Sequence, residues 1–367
     1  MVRRSSLIGL VGLAGFSACL AAGAASAAVY ELPPNGAAIL GRDETIEAVY
    51  EDTLSDVARR FGLGWEEILR VNPKVDAWVP GAGTHILIPG ERILPDGPRV
   101  GIVVNLPEHR LYYYPKMGRG EKPVVVTFPV SVGKMDWRTP LGTTKVIQKI
   151  KNPAWYPPAS VRLEHIANHD PLPMVVPAGP QNPLGAYAMR LGIPGGSYLI
   201  HGTNNPLAVG MAVTHGCLRL YPEDIETLFS MVPVGTPVTL INEPIKFAWV
   251  DGRLFIEVHP PVNEEGQSYE PDVDEFAHEL DRVLGSQTAA VNWDLALAEL
   301  KAARGMPVLV GVEADMTPAP AEAPPPESIA PESIAPESIA PESMPSPERE
   351  PPPLPAPVPT ASAAPSP

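Results

Sequence analysis

Tyr198-Leu199-Ile200-His201-Gly202-Thr203 leads, after a loop, into Thr214-His215-Gly216-Cys217-Leu218-Arg219-Leu220. An apolar strand that ends at His201 projects the imidazole beside a cysteine at the start of the following segment. Cysteine attacks as thiolate, and a free thiol is only a few per cent ionised near neutrality. A neighbouring imidazole and backbone donors lower its pKa, the usual route to a reactive cysteine. Gly216 lets backbone amides approach a developing oxyanion. Arg219 suits a substrate carboxylate held by a paired set of N–H donors, or alternatively an ion pair with Glu223 or Asp224. An inert buried cysteine among core histidines explains each residue singly but not their joint arrangement.

Around this stretch, residues 98–244 alternate short runs rich in Val, Ile, Tyr and Phe with Pro, Gly and Lys turns. Strands are expected at Arg99 to Asn105, Arg110 to Tyr114, Val124 to Val132, Thr143 to Ile150, Ala186 to Leu191, Ser197 to His201 and Pro237 to Ile241. One helix, Pro222 to Met231, follows the cysteine, with Pro222 in its first turn and Glu223 and Asp224 against the N-terminal dipole. Many short strands with few helices point to a mixed sandwich or barrel. His165 and His169 stand four apart, but Glu164 is on the wrong side for a zinc-protease helix and no third ligand is evident. The segment between Asn152 and Asn182 is read instead as a lid bordering the cleft, and no metal or cofactor is expected.

Residues 45–90 form a separate small unit. Asp52 or Thr53 caps a helix carrying Leu54, Val57, Ala58 and Phe61, broken by Gly62 and Gly64. A second helix holds Trp65, Ile68 and Leu69 and ends before Asn72-Pro73, and a strand runs from Thr84 to Ile88. Residues 247–315 read as a C-terminal subdomain with a strand, Leu254 to Val258, and helices at Val273 to Leu284 and Asn292 to Arg304. From Thr317 the chain is Pro-rich, with Pro-Glu-Ser-Ile-Ala in tandem from Pro326, Pro331 and Pro336 and a partial copy at Pro341. Residues 317–367 are expected to be extended and disordered, because such a tract buries too little apolar area to offset ordering.

Residues 1–27 carry Arg3 and Arg4, an apolar run from Leu7 to about Ala22, and Ala25-Ser26-Ala27, the pattern of a secretory signal peptide. Phe16-Ser17-Ala18-Cys19 offers a lipoprotein cleavage box as an alternative, with Phe a poor first residue. No later stretch has the roughly 20 apolar residues of a membrane span. Export to the periplasm is therefore expected, and the mature chain would keep Cys217 as its one thiol. With 27 basic against 42 acidic residues and a net charge of −15, nucleic acid and anionic lipid are poor partners.

The small unit resembles a LysM module, a binder of N-acetylglucosamine-containing glycans. The matching residues are Asp52-Thr53-Leu54, Ala58, Phe61, Asn72-Pro73 and Gly83-Thr84, with Ile86-Leu87-Ile88-Pro89; Glu51 departs from the family's common Gly. His-Gly-Thr followed by [Ser/Thr]-His-Gly-Cys-x-Arg resembles the YkuD-type L,D-transpeptidases. Val132-Gly133, Thr139-Pro140-Leu141-Gly142 and Asn182-Pro183-Leu184-Gly185 support that likeness. Arg110-Leu111-Tyr112-Tyr113-Tyr114 and Asn152-Pro153-Ala154-Trp155 look like its LysM-bearing Gram-negative branch. The resemblance implies an α+β chain: a βααβ LysM module, a β-rich YkuD-type sandwich or barrel, a small α/β subdomain and the Pro-rich tail.

It further implies Cys217 as nucleophile, His201 as general base oriented by the Gly202 carbonyl, and Gly216 and Cys217 amides as oxyanion hole lined by His215. Arg219 would bind the donor stem, with Thr214 (commonly Ser) and Thr203 beside it. The implied reaction takes a peptidoglycan tetrapeptide stem, releases D-Ala and passes the acyl group to an amine, giving a 3→3 cross-link or anchoring an outer-membrane lipoprotein. Two rivals remain at this level: a carboxypeptidase or wall hydrolase with water as acceptor, and an idle wall-binding protein. Because the glycan unit and the thiol lie in separate segments, removal of residues 29–90 is expected to spare attack on a small soluble donor.

Overall fold

A computed structural model describes residues 28–32, 39–133, 139–261 and 271–314. The expected signal peptide and the Pro-rich repeats fall outside the described residues.

The Val/Ile/Tyr-rich runs assemble one curled nine-stranded sheet in the spatial order Ala28–Glu31, Val124–Pro129, Arg110–Tyr114, Gly101–Asn105, Pro237–Ile241, Gly142–Lys151, Tyr187–Leu191, Leu199–His201 and Leu218–Arg219. Pro237–Ile241 pairs in parallel with Gly101–Asn105, and Leu199–His201 in parallel with Leu218–Arg219; the other neighbours are antiparallel. Ile102, Val104, Phe128, Met189, Ile200, Leu218, Ile225 and Leu228 close one core inside the curl. Val103, Tyr112, Tyr114 and Val125 bury the opposite face against Leu40 and Leu94. Both faces of these strands are covered, which explains their unbroken apolar texture.

Helices α1 (Leu54–Arg60) and α2 (Trp65–Val71) lie between strands Glu44–Glu47 and His85–Ile88, which pair with each other. Thr53 caps α1 reciprocally with Asp56. Buried Asn72 bonds Ile68 O, Leu87 O and the Leu87 amide, stitching the end of α2 to the strand. Leu54, Val57, Leu63, Ile68, Ile86 and Ile88 fill this unit's own core.

Three expectations are corrected. The run Val124 to Val132 is two strands, Val124–Pro129 and Val132–Gly133, the second pairing with Ala212–Thr214. Pro129 has no N–H to extend the ladder, and the Val130 amide turns to His109 O. The segment between Asn152 and Asn182, expected to border the cleft, contains a helix, α3 (Ala159–Ala167), started by Pro158 and ended where His169 takes φ +59°. The C-terminal segment holds four strands rather than one. Ile245–Val250, Arg253–Val258, Val308–Glu313 and Ala289–Val291 form an antiparallel sheet in that order. Asp251-Gly252, with φ +48° and +71°, makes the hairpin turn, a signal present in the sequence. Helix α4 (Pro222–Met231) packs on the nine-stranded sheet, whereas α5 (Val273–Leu284) and α6 (Trp293–Ala302) cover the C-terminal one; Phe247, Leu254, Phe276, Leu280 and Leu300 make its core.

The βααβ unit, separate in sequence, shares a buried charged seam with the nine-stranded sheet. Glu67 of α2 receives Arg110 Nη2 at 2.6 Å, while Arg92 lies at 3.4 Å. Burial alone would raise this carboxyl, but Arg110 and Arg92 bring it below its ordinary range. The Trp65 amide donates to Val209 O at 2.9 Å. A Cβ on Gly210 would stand 2.4 Å from Gly64 Cα, so that close approach requires glycine. Nearby, Lys246 Nζ bridges Glu257 (2.7 Å) and Glu108 (3.2 Å), tying in the C-terminal sheet. These contacts alter the expectation for removal of residues 29–90, which would strip the partner from Arg110.

Candidate active site

The parallel pair Leu199–His201 and Leu218–Arg219 sets the site. Their register places Ile200 opposite Leu218 and His201 opposite Arg219. Ile200 and Leu218 are fully buried in the core, so strand alternation puts His201, Arg219 and the preceding Cys217 together on the other face. The Leu220 amide donates to His201 O at 2.9 Å, and Ser131 and Arg219 exchange backbone bonds of 2.8 and 3.1 Å across the next edge.

His201 is 4% exposed. Its Nδ1 lies 2.6 Å from Gly202 O, and a carbonyl only accepts, so Nδ1 carries the proton and Nε2 is the basic nitrogen. Burial first, and then the Arg219 guanidinium, push the imidazole down to about 3 against the Gly202 carbonyl. Cys217 is half-buried and unpaired, and its thiol donates to Ser197 O at 3.6 Å. Burial pushes that thiol up from its ordinary value, with the Leu199 amide and Arg219 opposing. This reverses the expected resting state. Desolvation outweighs the local donors, which favours the neutral thiol and the neutral imidazole over thiolate and imidazolium.

The turn before the thiol is tightly specified. Gly216 has φ +87°, a left-handed conformation that side chains resist. Thr139 Oγ1 accepts from the Gly133 amide and donates to Gly216 O, both at 3.2 Å, which places the Val132-Gly133 and Thr139 motifs under the cysteine loop. Thr214 Oγ1 donates to Cys217 O at 2.5 Å. Thr203 Oγ1 accepts from the Asn205 amide at 2.9 Å. Both threonine hydroxyls are thus engaged with backbone. Arg219 Nε is buried and has no hydrogen-bond partner among the described residues. Glu223, its alternative partner from the sequence, is taken by Arg59 at 2.7 and 2.8 Å.

His215 lies apart from His201 in its bonding. Its Nε2 meets Glu164 Oε2 of α3 at 2.8 Å, a residue that the sequence reading passed over as a failed metal motif. Val161 and Glu164 stand three apart on α3, the spacing that would have marked an inward face. His165 pairs with Asp170 at 3.2 Å. Among the described residues, the one cluster with metal-ligand spacing is Glu108, Glu257 and His259, where the Lys246 ammonium already bridges the carboxylates.

A half-buried cysteine on the sheet face shared with a basic imidazole suits acyl transfer through a thiol. The L,D-transpeptidase catalytic domain model (YkuD) matches residues 99–240. The chain is 44% identical over 246 residues to the probable L,D-transpeptidase YcfS of Escherichia coli, covering 66% of this chain and 75% of that protein. It is 37% identical over 305 residues to the probable L,D-transpeptidase ErfK/SrfK of the same species, covering 81% and 96%. It is 30% identical over 204 residues to the putative L,D-transpeptidase YkuD of Bacillus subtilis, covering 53% and 98%. This chain belongs to the YkuD-type L,D-transpeptidase family, with a cysteine as its nucleophile.

Proposed function

We propose that Cys217 attacks a peptidoglycan tetrapeptide stem at the amide between its third-position diamino acid and the terminal D-Ala. The observation that carries this is the His201 ring, locked by Gly202 O, with Nε2 unbonded among the described residues and the ring on the face shared with Cys217 and Arg219. The thiol proton passes to Nε2 as sulfur bonds the carbonyl carbon. Amides of Gly216 and Cys217 receive the oxyanion, and Arg219 receives a stem carboxylate. The C–N bond then breaks, the proton goes to the departing D-Ala nitrogen, and a thioester remains. Thr214 and Thr203 shape the loops on either side. An amine completes the transfer, from a diamino acid for a 3→3 cross-link or from a lipoprotein lysine for anchoring. The test is incubation with a soluble disaccharide-tetrapeptide and an amine, followed by mass spectrometry. Amide product with D-Ala release is expected; release giving only the tripeptide acid would make the protein a hydrolase, and no release an idle wall binder.

The βααβ unit serves this reading as a LysM-type glycan-binding module that holds the enzyme on the wall of a Gram-negative cell after export. Trp78 is 57% and Tyr50 84% exposed, with Trp78 tilted 35° against Trp65 at 5.3 Å between ring centroids, which leaves aromatic surface for sugar rings. Trp78→Ala should weaken binding to purified sacculi by roughly tenfold and leave D-Ala release from the soluble donor unaffected. Unchanged sedimentation with sacculi would reject the module's role.

Acylation should also be insensitive to mild acid. With His201 held at about 3, the base stays unprotonated from neutrality down to pH 5, so thioester formation with a carbapenem should remain flat over that range. A fall centred near the ordinary histidine value of about 6.5 would contradict the buried neutral imidazole.

A further inference from the structure

The segment between Asn152 and Asn182 has a built frame. Asn182, fully buried, donates to Pro153 O at 2.8 Å, Val176 O at 3.2 Å and Pro177 O at 3.1 Å. Trp155 and Val176 exchange backbone bonds of 2.8 Å. Within this frame α3 turns Val161 inward, 2% exposed, and Leu163 and Ile166 outward, 66% and 57% exposed. Glu164, one turn after Val161, reaches His215 two residues before the nucleophile.

Transfer to an amine has one more proton to dispose of than acylation. In acylation one proton leaves the thiol and one joins the departing nitrogen, a shuttle that His201 performs alone. In transfer the acceptor is a primary amine, which at neutral pH is an ammonium with an ordinary pKa of about 10.4 for a lysine-like group. Forming the C–N bond removes two protons from it. One follows His201 to the sulfur as the C–S bond breaks, restoring the thiol. The other needs a second base, and His201 cannot serve both.

We propose that Glu164 and His215 form the acceptor subsite: the Glu164 carboxylate binds the incoming primary ammonium, and the His215 ring takes its first proton and releases it to solvent. This rests on the cysteine acyl-transfer reading above and names its acceptor class. Water carries no positive charge and needs no prior deprotonation, so the subsite favours aminolysis over hydrolysis. Two histidines so close in sequence then divide the reaction: His201, buried and bonded to a carbonyl, serves sulfur; His215, more open and bonded to a carboxylate, serves nitrogen.

Glu164→Gln separates this from a structural latch, because the amide oxygen still accepts a hydrogen bond from His215 but carries no charge. The full enzyme is acylated with the soluble disaccharide-tetrapeptide and offered meso-diaminopimelate in one arm and a peptide ending in lysine in the other. The ratio of amide to hydrolysed product should fall roughly tenfold or more in Glu164→Gln. A fall in one arm alone supports the subsite and assigns its source. An unchanged ratio in both arms overturns the proposal, as does a loss of thioester formation equal to the loss of transfer. If the unsubstituted enzyme forms no thioester at all, the acyl-transfer reading fails first and this inference falls with it.

Discussion

His201→Gln should slow thioester formation at Cys217 by about 10³-fold at pH 7, a loss in the range expected for a general acid–base group. The size follows from the neutral thiol and imidazole. Burial holds the thiol proton above its ordinary range, so few molecules present thiolate unaided, and the attack depends on Nε2 accepting the proton as the S–C bond forms. The glutamine amide does not accept a proton in this range. The remaining rate should therefore climb with pH through 8.5 and beyond, tracking the free thiolate. In the unsubstituted enzyme the low imidazole value should leave the base unprotonated and the profile flat. That early plateau is what a depressed thiol pKa would also give, but its cause here is the low imidazole value. His215→Gln should lose less in acylation, because its ring faces Glu164. Stopped-flow acylation by a carbapenem over pH 5 to 9, read with intact mass, checks both. A steeper pH dependence in His215→Gln would reverse the two assignments.

The largest effect on stability should come from Glu67→Ala. Arg110 is 1% and Arg92 5% exposed, and loss of the carboxylate leaves both guanidiniums buried without their counter-charge. Breaking a buried pair by removing one partner costs about 3–5 kcal/mol. The Glu67 side chain also holds the Gly64 amide at 2.6 Å, so the start of α2 loosens with it. Arg59→Ala at the more open pair with Glu223 should cost at most about 1 kcal/mol. Urea unfolding of the two variants gives the comparison. Glu67→Ala within 1 kcal/mol of the unsubstituted protein would mean that the charged seam does not bind the βααβ unit to the sheet.

How much of this was readable before the structure depended on distance along the chain. Helix α4 begins at Pro222 and α5 ends before Gly285, as the terminal residues required. The strand Arg110–Tyr114 and the strand Pro237–Ile241 have the bounds that their β-branched and aromatic runs set. Helix α3 was missed because its flanking prolines read as loop, although Pro158 in fact starts it. Glu67 and Arg110 lie 43 residues apart, and Glu164 and His215 lie 51 apart; neither pairing leaves a local periodicity. The cysteine and its two histidines were legible as a group because they sit in one short stretch. The sign of the thiol shift was not, since it depends on burial by elements that no neighbouring residue specifies.

The central claim is a covalent acyl-enzyme on Cys217, and intact-mass spectrometry with a soluble disaccharide-tetrapeptide tests it most directly. The enzyme should gain the mass of the donor less D-Ala. Proteolytic mapping should place the adduct on the peptide containing Cys217, and Cys217→Ala, folded by circular dichroism, should gain nothing. D-Ala release without any adduct on the cysteine, or undiminished release by Cys217→Ala, would contradict the account.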